Sequence, residues 1–487
     1  MTDVKEIFDL FKTTPTEADM KKITQAYEFA EEAHREQKRN SGEPYFVHVF
    51  EVGKNLARLG MDIKTIQAGL LHDTIEDTDI TEDDIEKKFG KSVLFLVNGV
   101  TKLGTLKYKG RERHVESLRK FFIAMSEDVR VIVIKLADRL HNMQTLEHVR
   151  PDKQRRIALE TLEIHAPLAS RLGMGKLKAQ LEDLAFPYVF PEEYELVKDL
   201  LRQRSKVDEK FKSKLRTTLA KEIAKHDINN VTIDARIKHK YSLWQKLKRK
   251  NMDIEKIDDI IALRVIVPTI EDSYRVLGIV HKLWRPLPGR IKDYIAFPKP
   301  NGYQSLHTNV LTSDGGIAEI QMRTNQMHQE AEYGIAAHFT YKESASSAHP
   351  KKLGKSYEWI EEMKELQQGI AEPNKFLEHL KMDFFRDRIF VFTPEGDVVD
   401  IPEGSSPIDF AYRIHSDIGN HVSGSKINGK MSTLSTKLVN GDIVEIVTKK
   451  SAHPTNKWLD YSKTSLAKKH IRAYLQENSL FKKFFKG

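Results

Sequence analysis

Apolar positions over the first 195 residues recur at helical spacing, as in ITQAYEFAEEAH, VFEVGKNLARLG and IKTIQAGLLHDTIED. Stripes of this period give each helix one face to bury. The NSGEPY cluster between two of them is turn chemistry. DITEDDIEKKFG opens with a cap at Thr81, continues with acids and closes at Gly90. Nothing here alternates with period two for long, so residues 1–195 are predicted to form an all-α domain.

A charged amphipathic stretch then predicts a bridging helix to about residue 226. Beyond it the period changes. VTIDARI and IIALRVIV read as strands, and SYRVLGIVHKLW as a helix. SLHTNVLTSDGGIAEIQMRT reads as a hairpin turning at Asp314-Gly315-Gly316, and QMHQEAEYGIAAHFTYK returns to helix. An α+β domain over 196–342 follows from this alternation. Residues 343–385 begin with the loop-like SASSAHPKK and continue as a helical connector. Residues 386–449 crowd short strands, a turn at Pro394-Glu395-Gly396 and one helix into a small β-grasp-like module, and 450–487 start a basic helical region.

Charge sharpens this multidomain picture. The chain of 487 residues carries a net +9. Most of that excess lies in 449–487, which holds ten Lys/Arg against two Asp/Glu. A second excess, seven basic residues and no acid, runs from Arg236 to Lys250. Two concentrated patches favour phosphate or nucleic-acid partners over a uniform solubilising coat. Cysteine is absent, which excludes disulfides, thiolate metal sites and a thiol nucleophile. No apolar run reaches the roughly 20 residues needed to span a bilayer, and the first residues lack a signal core. No membrane partner and a cytoplasmic location are therefore expected.

In the helical domain, His48, the His72-Asp73 pair and Asp138 form an imidazole–carboxylate set without sulfur. Such a set suits a divalent ion such as Mn, Fe or Zn. Glu76 and Asp77 lie four residues beyond His72 and Asp73, so each returns to nearly the same helix face. Asp138, Asn142 and Thr145 share another face. The arrangement resembles the HD metal-dependent phosphohydrolases. More closely, AHREQKRNSGEPYFVH, GLLHDTIEDT, LVNGVTKL and KLADRLHNMQTL resemble the hydrolase half of the long RelA/SpoT-type alarmone enzymes. That resemblance implies that His48, His72, Asp73 and Asp138 hold Mn2+ and that Glu76 and Asp77 activate the attacking water. It also implies that Arg39, Ser41, Tyr45, Asn142 and Thr145 line the (p)ppGpp pocket. Val49 stands where the family often has Pro, which removes no ligand.

The α+β domain pairs a basic cradle with two separated carboxylates. ARIKHKYSLWQKLKRK carries Arg236, Lys238 and Lys246. GRIKDYIAFPKPNGYQSLHTNV carries Arg290, Lys292, Lys299, Asn301, Tyr303 and His307. Asp259 precedes one strand and Glu319 lies within another. Two carboxylates beside a phosphate-binding cation set are what Mg-assisted phosphoryl transfer needs. No Walker A loop, kinase signature or dinucleotide fingerprint is present. RIKHKYS, DIIALR, KDYIAFPKPNGYQSLHT, EIQMRT and AEYGIAAH resemble, in order, the nucleotidyltransferase-like RelA/SpoT synthetase domain. The implied reaction moves pyrophosphate from ATP to the 3′-hydroxyl of GDP or GTP. By the same resemblance Arg236, Lys238, Lys246 and Arg264 serve ATP. Tyr303 stacks on guanine, with Lys292, Lys299, Asn301 and His307 around the acceptor, and Asp259 and Glu319 hold Mg2+. Glu319 doubles as base or second anchor. The segment Arg290-Ile291-Lys292-Asp293, read as a loop, matches the basic variant of bifunctional members, and Ala235 replaces a frequent Gly.

RIFVFTPEGDVVDIPEGSSPIDFAYRIHSDIG resembles a TGS domain, which implies a ribosome and tRNA partner with His415 at the tRNA 3′ end. The family's later zinc-finger-like and ACT-type regions are expected to be absent, in keeping with zero Cys. The expected activity is bifunctional (p)ppGpp synthesis and hydrolysis. Two alternatives stay open: a chain with one live site, and a non-catalytic ribosome- or tRNA-binding regulator.

Overall fold

The computed structural model describes residues 2–11, 14–101, 127–237, 239–254, 257, 261–299, 301–313, 315–340 and 388–484, with backbone alone for 204–208, 236, 237, 338, 340 and 478–484. Lys238, Asp259 and the expected connector over 343–385 lie outside the described residues. The chain divides into two compact units, one holding the described residues to 340 and the other holding 388–484.

The first unit begins with helices whose sequence signals operate as expected. Thr81 and Asp84 form a reciprocal capping box on Glu82–Phe89, and Gly90 ends that helix at φ 84°. Asp62 caps Ile63–Leu71 by accepting from the Thr65 amide. Each cap satisfies a donor that the first helical turn leaves open. Every residue of helix Ile63–Leu71 except the exposed Lys64 is buried. The helix packs against Phe46–Arg58 at close range, because a Cβ on Gly69 would lie 2.2 Å from Leu56 Cδ1. That approach carries His48, on one helix, toward His72, at the end of the other. Arg130–Gln144 packs on both and brings Asp138.

A single helix, Pro191–Ala224, bridges to the sheet. Five strands follow: β1 (Thr232–Ile237), β2 (Ile261–Val267), β3 (Arg285–Asp293), β4 (Leu306–Leu311) and β5 (Ile317–Thr324). Their order is β1-β2-β5-β4-β3. β2 and β5 run parallel, and the other neighbours are antiparallel. Only Arg264 interrupts the burial of β2. Ile261, Leu263, Val265 and Val267 join a core with Ile320, Met322, Val280 and Trp244. Burying a Leu such as Leu263 contributes about 1.5–3 kcal/mol. β3 is a departure from the sequence reading, which treats Arg290–Asp293 as a loop. Pro286, Pro288 and Gly289 break its alternation, and its pairing with β4 is bulged between Pro286 and Ile291. An edge strand tolerates such prolines because its outer amides need no partner.

The helix expected after β5 is split into Asn325–Tyr333 and Ile335–Thr340 at Gly334. Gly334 sits at φ 56°, with Leu172 O 2.0 Å from where its Cβ would be. Ile335 N–H donates to Leu172 O at 2.9 Å. The sheet domain is thereby seated on the end of the helical domain.

The second unit has two small sheets, β6 (Arg388–Phe392) with β7 (Val398–Pro402), and β8 (Val422–Ile427) between β9 (Lys430–Ser432) and β10 (Val444–Thr448). Phe392 bridges to Ile443 in parallel and joins the two sheets. Helix Pro407–Ile414 places Phe410 in a core with Ile389, Val391, Ile401 and Val444. Buried Asp409 accepts from the Ser406, Lys463 and Thr464 amides and ties this module to the following helix, Ser465–Phe484. No helix among the described residues is long and apolar enough to cross a membrane.

Candidate active sites

Three elements converge in the helical domain. His48 comes from the first turn of Phe46–Arg58, His72 caps the end of Ile63–Leu71, and Asp138 lies in the middle of Arg130–Gln144. All three are buried, and one donor atom from each lies within 4.8 Å of the others. Asp73 Oδ2 is 3.1 Å from His72 Nε2 and 3.6 Å from His48 Nε2, so the fourth candidate ligand joins the cluster. His72 Nδ1 donates to Gly69 O at 2.8 Å, which turns Nε2 toward the cluster, where a cation would take the place of a second ring proton. That buried Nε2 has no hydrogen-bond partner. An orphaned imidazole nitrogen among two carboxylates and a second imidazole fits a divalent cation.

The electrostatics reflect four ionisable groups forced together. Burial alone would lower His72, but Asp73 and Asp138 outweigh it and hold the imidazole up at about 9. Burial opposes ionisation of Asp73, yet His72 and His48 keep its carboxyl well below the usual range. Asp138 is held low against its burial by Lys135, whose ammonium donates to Oδ2 at 2.8 Å. Glu76 goes the other way. Burial, then repulsion from Asp73 and Asp77, pushes it up to about 7.

The remaining expected residues, Ser41 excepted, connect to this point. Tyr45 OH reaches both Asp73 Oδ2, at 2.8 Å, and Asp77 Oδ2, at 3.0 Å, so its polar end serves the carboxylates. The Gly42 turn, at φ 87°, returns the chain so that Arg39 reaches Arg130–Gln144. Its guanidinium donates to Thr145 Oγ1 at 3.1 Å and Asn142 Oδ1 at 3.0 Å. Asn142 Nδ2 in turn donates to Asp138 Oδ1. Ser41 Oγ donates to the exposed Glu43 and is not drawn into this network. Lys135 and His141 escape the sequence reading. Lys135 pairs with Asp138 one turn away on its own helix, whereas His141 meets His48 and Arg39 from distant segments, which no motif spacing reveals.

In the sheet domain, Glu319 and His307 lie on β5 and β4 and are diagonal neighbours, two residues out of register, since His307 pairs with Gln321 and Glu319 with Asn309. His307 Nδ1 donates to Glu319 Oε1 at 2.9 Å, and Tyr303 OH bonds His307 Nε2 at 2.8 Å. Gln321 Nε2 donates to Glu319 Oε2 at 2.9 Å. Lys299 lies over the Tyr303 ring, 5.1 Å from its centroid. Burial, then Lys292 and Lys178, lowers Lys299 to about 8, and Lys246 adds to the effect. Four lysines therefore share one field, and Lys178 is supplied by the helical domain. Arg264 and Arg323 share the Glu332 carboxylate at 3.2 and 3.1 Å. They line a cavity of about 230 Å³ with Tyr303, Asn301 and Lys176. Asn301 Nδ2 donates to Ser170 O, so this side chain ties the domains together. Asp183, missed in the sequence, accepts from His239 Nδ1 and the Tyr241 amide and fixes the start of Lys240–Arg249.

In the second unit His415 is exposed and accepts from the Asp417 amide, capping Ser416–Asn420.

Known proteins agree with this division. Family models match an HD domain over 26–175, a region found in RelA/SpoT proteins over 235–346, and a TGS domain over 389–448. The guanosine-3′,5′-bis(diphosphate) 3′-pyrophosphohydrolase of Aquifex aeolicus is 47% identical over 93% of this chain and 64% of its own length. The bifunctional (p)ppGpp synthase/hydrolase SpoT of Escherichia coli is 43% identical over 96% of this chain and 66% of its own length. The chain thus spans somewhat under two thirds of the relatives it matches. Among solved structures, the small alarmone synthetase 1 of Bacillus subtilis bound to its product pppGpp aligns at 25% identity and a TM-score of 0.25, over 36% of this chain and 100% of that one. With all three domain models in order and this identity along nearly its whole length, the chain belongs to the RelA/SpoT family.

Proposed function

We propose that this chain both makes and breaks (p)ppGpp, as a GTP/GDP 3′-pyrophosphokinase and a ppGpp 3′-pyrophosphohydrolase of the stringent response. The observation that carries the reading is the buried convergence of two imidazoles and two carboxylates, in one chain with a separate, lysine-rich site around Glu319. The activities named for the relatives are of these two kinds.

For hydrolysis we assign Mn2+ to His48, His72, Asp73 and Asp138, in keeping with the orphaned His72 Nε2. When bound, the cation lowers the pKa of water and offsets phosphate charge. Glu76, raised to about 7, is poised to accept a proton near neutral pH. Asp77 is its partner, oriented by Tyr45 OH. Arg39, with Asn142 and Thr145, presents a planar cation to the nucleotide, and Ser41 lies on the same turn.

For synthesis we assign ATP to Arg236, Lys238, Lys246 and Arg264, and the guanine nucleotide to Lys292, Lys299, Asn301, Tyr303 and His307. Asp259 and Glu319 would hold Mg2+. Glu319 Oε1 accepts from His307 and Oε2 from Gln321, which orients the carboxylate. His307 relays between Tyr303 and Glu319, fixing the ring beside the carboxylate. We assign the TGS unit and the basic 449–487 stretch to tRNA on the ribosome, with the exposed His415 as a contact, and place the chemistry in the cytoplasm.

Paired variants test the division of labour. Asp73→Ala should abolish pyrophosphate release from ppGpp and spare synthesis, and Glu319→Gln should do the reverse. Loss of both activities in either well-folded variant would contradict two separate sites.

A further inference from the structure

A cation at the His48/His72/Asp138 point needs each imidazole to present a lone pair from Nε2. His72 meets this through the Gly69 carbonyl, which fixes its proton on Nδ1. For His48 the partner is a side chain. His48 Nδ1 lies 2.8 Å from His141 Nδ1, with the two rings tilted and their centroids 5.0 Å apart. In this pair one nitrogen must donate and the other accept. Arg39 decides which, because its Nη1 lies 3.3 Å from the same His141 Nδ1 and guanidinium has only donors to offer. A proton on His141 Nδ1 would point at an N–H, so His141 Nδ1 carries the lone pair and His48 Nδ1 carries the proton. His48 Nε2 is then the nitrogen turned to the cation point, 3.3 Å from Asp138 Oδ1 and 3.6 Å from Asp73 Oδ2.

We propose that His141 is a positioning residue that, polarised by Arg39, locks His48 in the Nδ1–H tautomer and so keeps its Nε2 ready for the cation. The inference deepens the metal reading above and rests on it for its function, though the tautomer itself does not. It also gives Arg39 a second duty. The guanidinium proposed for the nucleotide also orders the face of the cation site, through His141 and through Asn142 to Asp138. His141 is buried, at 7% exposure, so water does not replace it as acceptor without rearrangement.

The test uses the full chain, 15N-labelled at histidine, with Mn2+ alone as the metal probe. Long-range 15N–1H spectra of the metal-free protein should show His48 protonated on Nδ1. In His141→Phe, which lacks an acceptor, that signature should shift toward Nε2–H, and Mn2+ affinity by calorimetry should fall by about 10–100-fold. His141→Leu provides the same loss of acceptor if the bulkier ring prevents folding. His141→Asn, whose amide oxygen can accept from His48 Nδ1, should restore both readouts in large part. A wild-type His48 found protonated on Nε2, or a folded His141→Phe or His141→Leu with unchanged tautomer and unchanged Mn2+ affinity, would overturn the proposal. Wild-type protein that binds no Mn2+ would instead sink the metal reading, while the nitrogen spectra still decide the tautomer.

Discussion

Replacing Gly334 with Ala is the sharpest structural perturbation this fold offers. Gly334 breaks two helices at φ 56°, ψ −130°, outside the basins that L-residues favour. Holding Ala there costs about 1–3 kcal/mol. The added Cβ would also meet Leu172 O at 2.0 Å, Gly173 C at 2.5 Å and Met174 N at 2.7 Å. These are backbone atoms of the opposing domain and have no rotamer to swing away. Overpacking of this kind costs about another 1–3 kcal/mol. The expected destabilisation is therefore about 2–6 kcal/mol. Gly278 supplies the control. It lies inside helix Ile270–Leu283, and nothing lies within 4 Å of its would-be Cβ. Gly278→Ala should stabilise by about 0.4–1 kcal/mol, because the unfolded chain loses freedom and the helix gains a better former. Urea unfolding followed by tryptophan fluorescence reads both, since Trp244 and Trp284 are buried in the sheet domain. A Gly334→Ala protein melting within about 0.5 kcal/mol of wild type would refute the reasoning.

Other predictions concern the ligand sites. Tyr303→Ala should weaken GDP use more than ATP use, by about 5–150-fold if a stacked base is worth 1–3 kcal/mol; equal loss in steady-state kinetics with each nucleotide would assign Tyr303 a structural role. Lys299 is charged below about 8 and neutral above it, so affinity for a guanine nucleotide should drop as pH rises through that value, and Lys299→Arg should remove the inflection. The same group has the opposite effect on folding. Its folded value lies below the ordinary 10.5, so the unfolded chain binds more protons and stability rises between about pH 8 and 10.5. RNA affinity of the full chain should fall steeply with salt through counterion release, and the slope should flatten when lysines of 449–487 are neutralised; a salt-independent affinity would argue against an electrostatic RNA contact.

Much of this architecture is written locally. The helices with Thr81 and Asp62 caps, the buried run of β2 and the Gly315 hairpin all follow from short-range pattern. The His72-Asp73 pair is legible because both residues come from one segment. Strand β3 is hidden because its prolines and Gly289 erase alternation, and only pairing with β4 reveals it. His141 is hidden for a different reason. Its partners, His48 and Arg39, lie 93 and 102 residues away in sequence. Asn301 illustrates the same limit, since a turn residue expected at the acceptor site also hydrogen-bonds Ser170 O across the domain boundary. Lys178 reaches the field of Lys299 for the same tertiary reason.

The proposed pair of opposed activities on (p)ppGpp in one chain is open to direct measurement. Incubating the protein with ATP, GDP and Mg2+, and separately with ppGpp and Mn2+, then resolving the nucleotides, tests it directly. The first mixture should yield ppGpp and AMP, and the second GDP with pyrophosphate. Unchanged nucleotides in either mixture, from protein that is folded and metal-loaded, would contradict it.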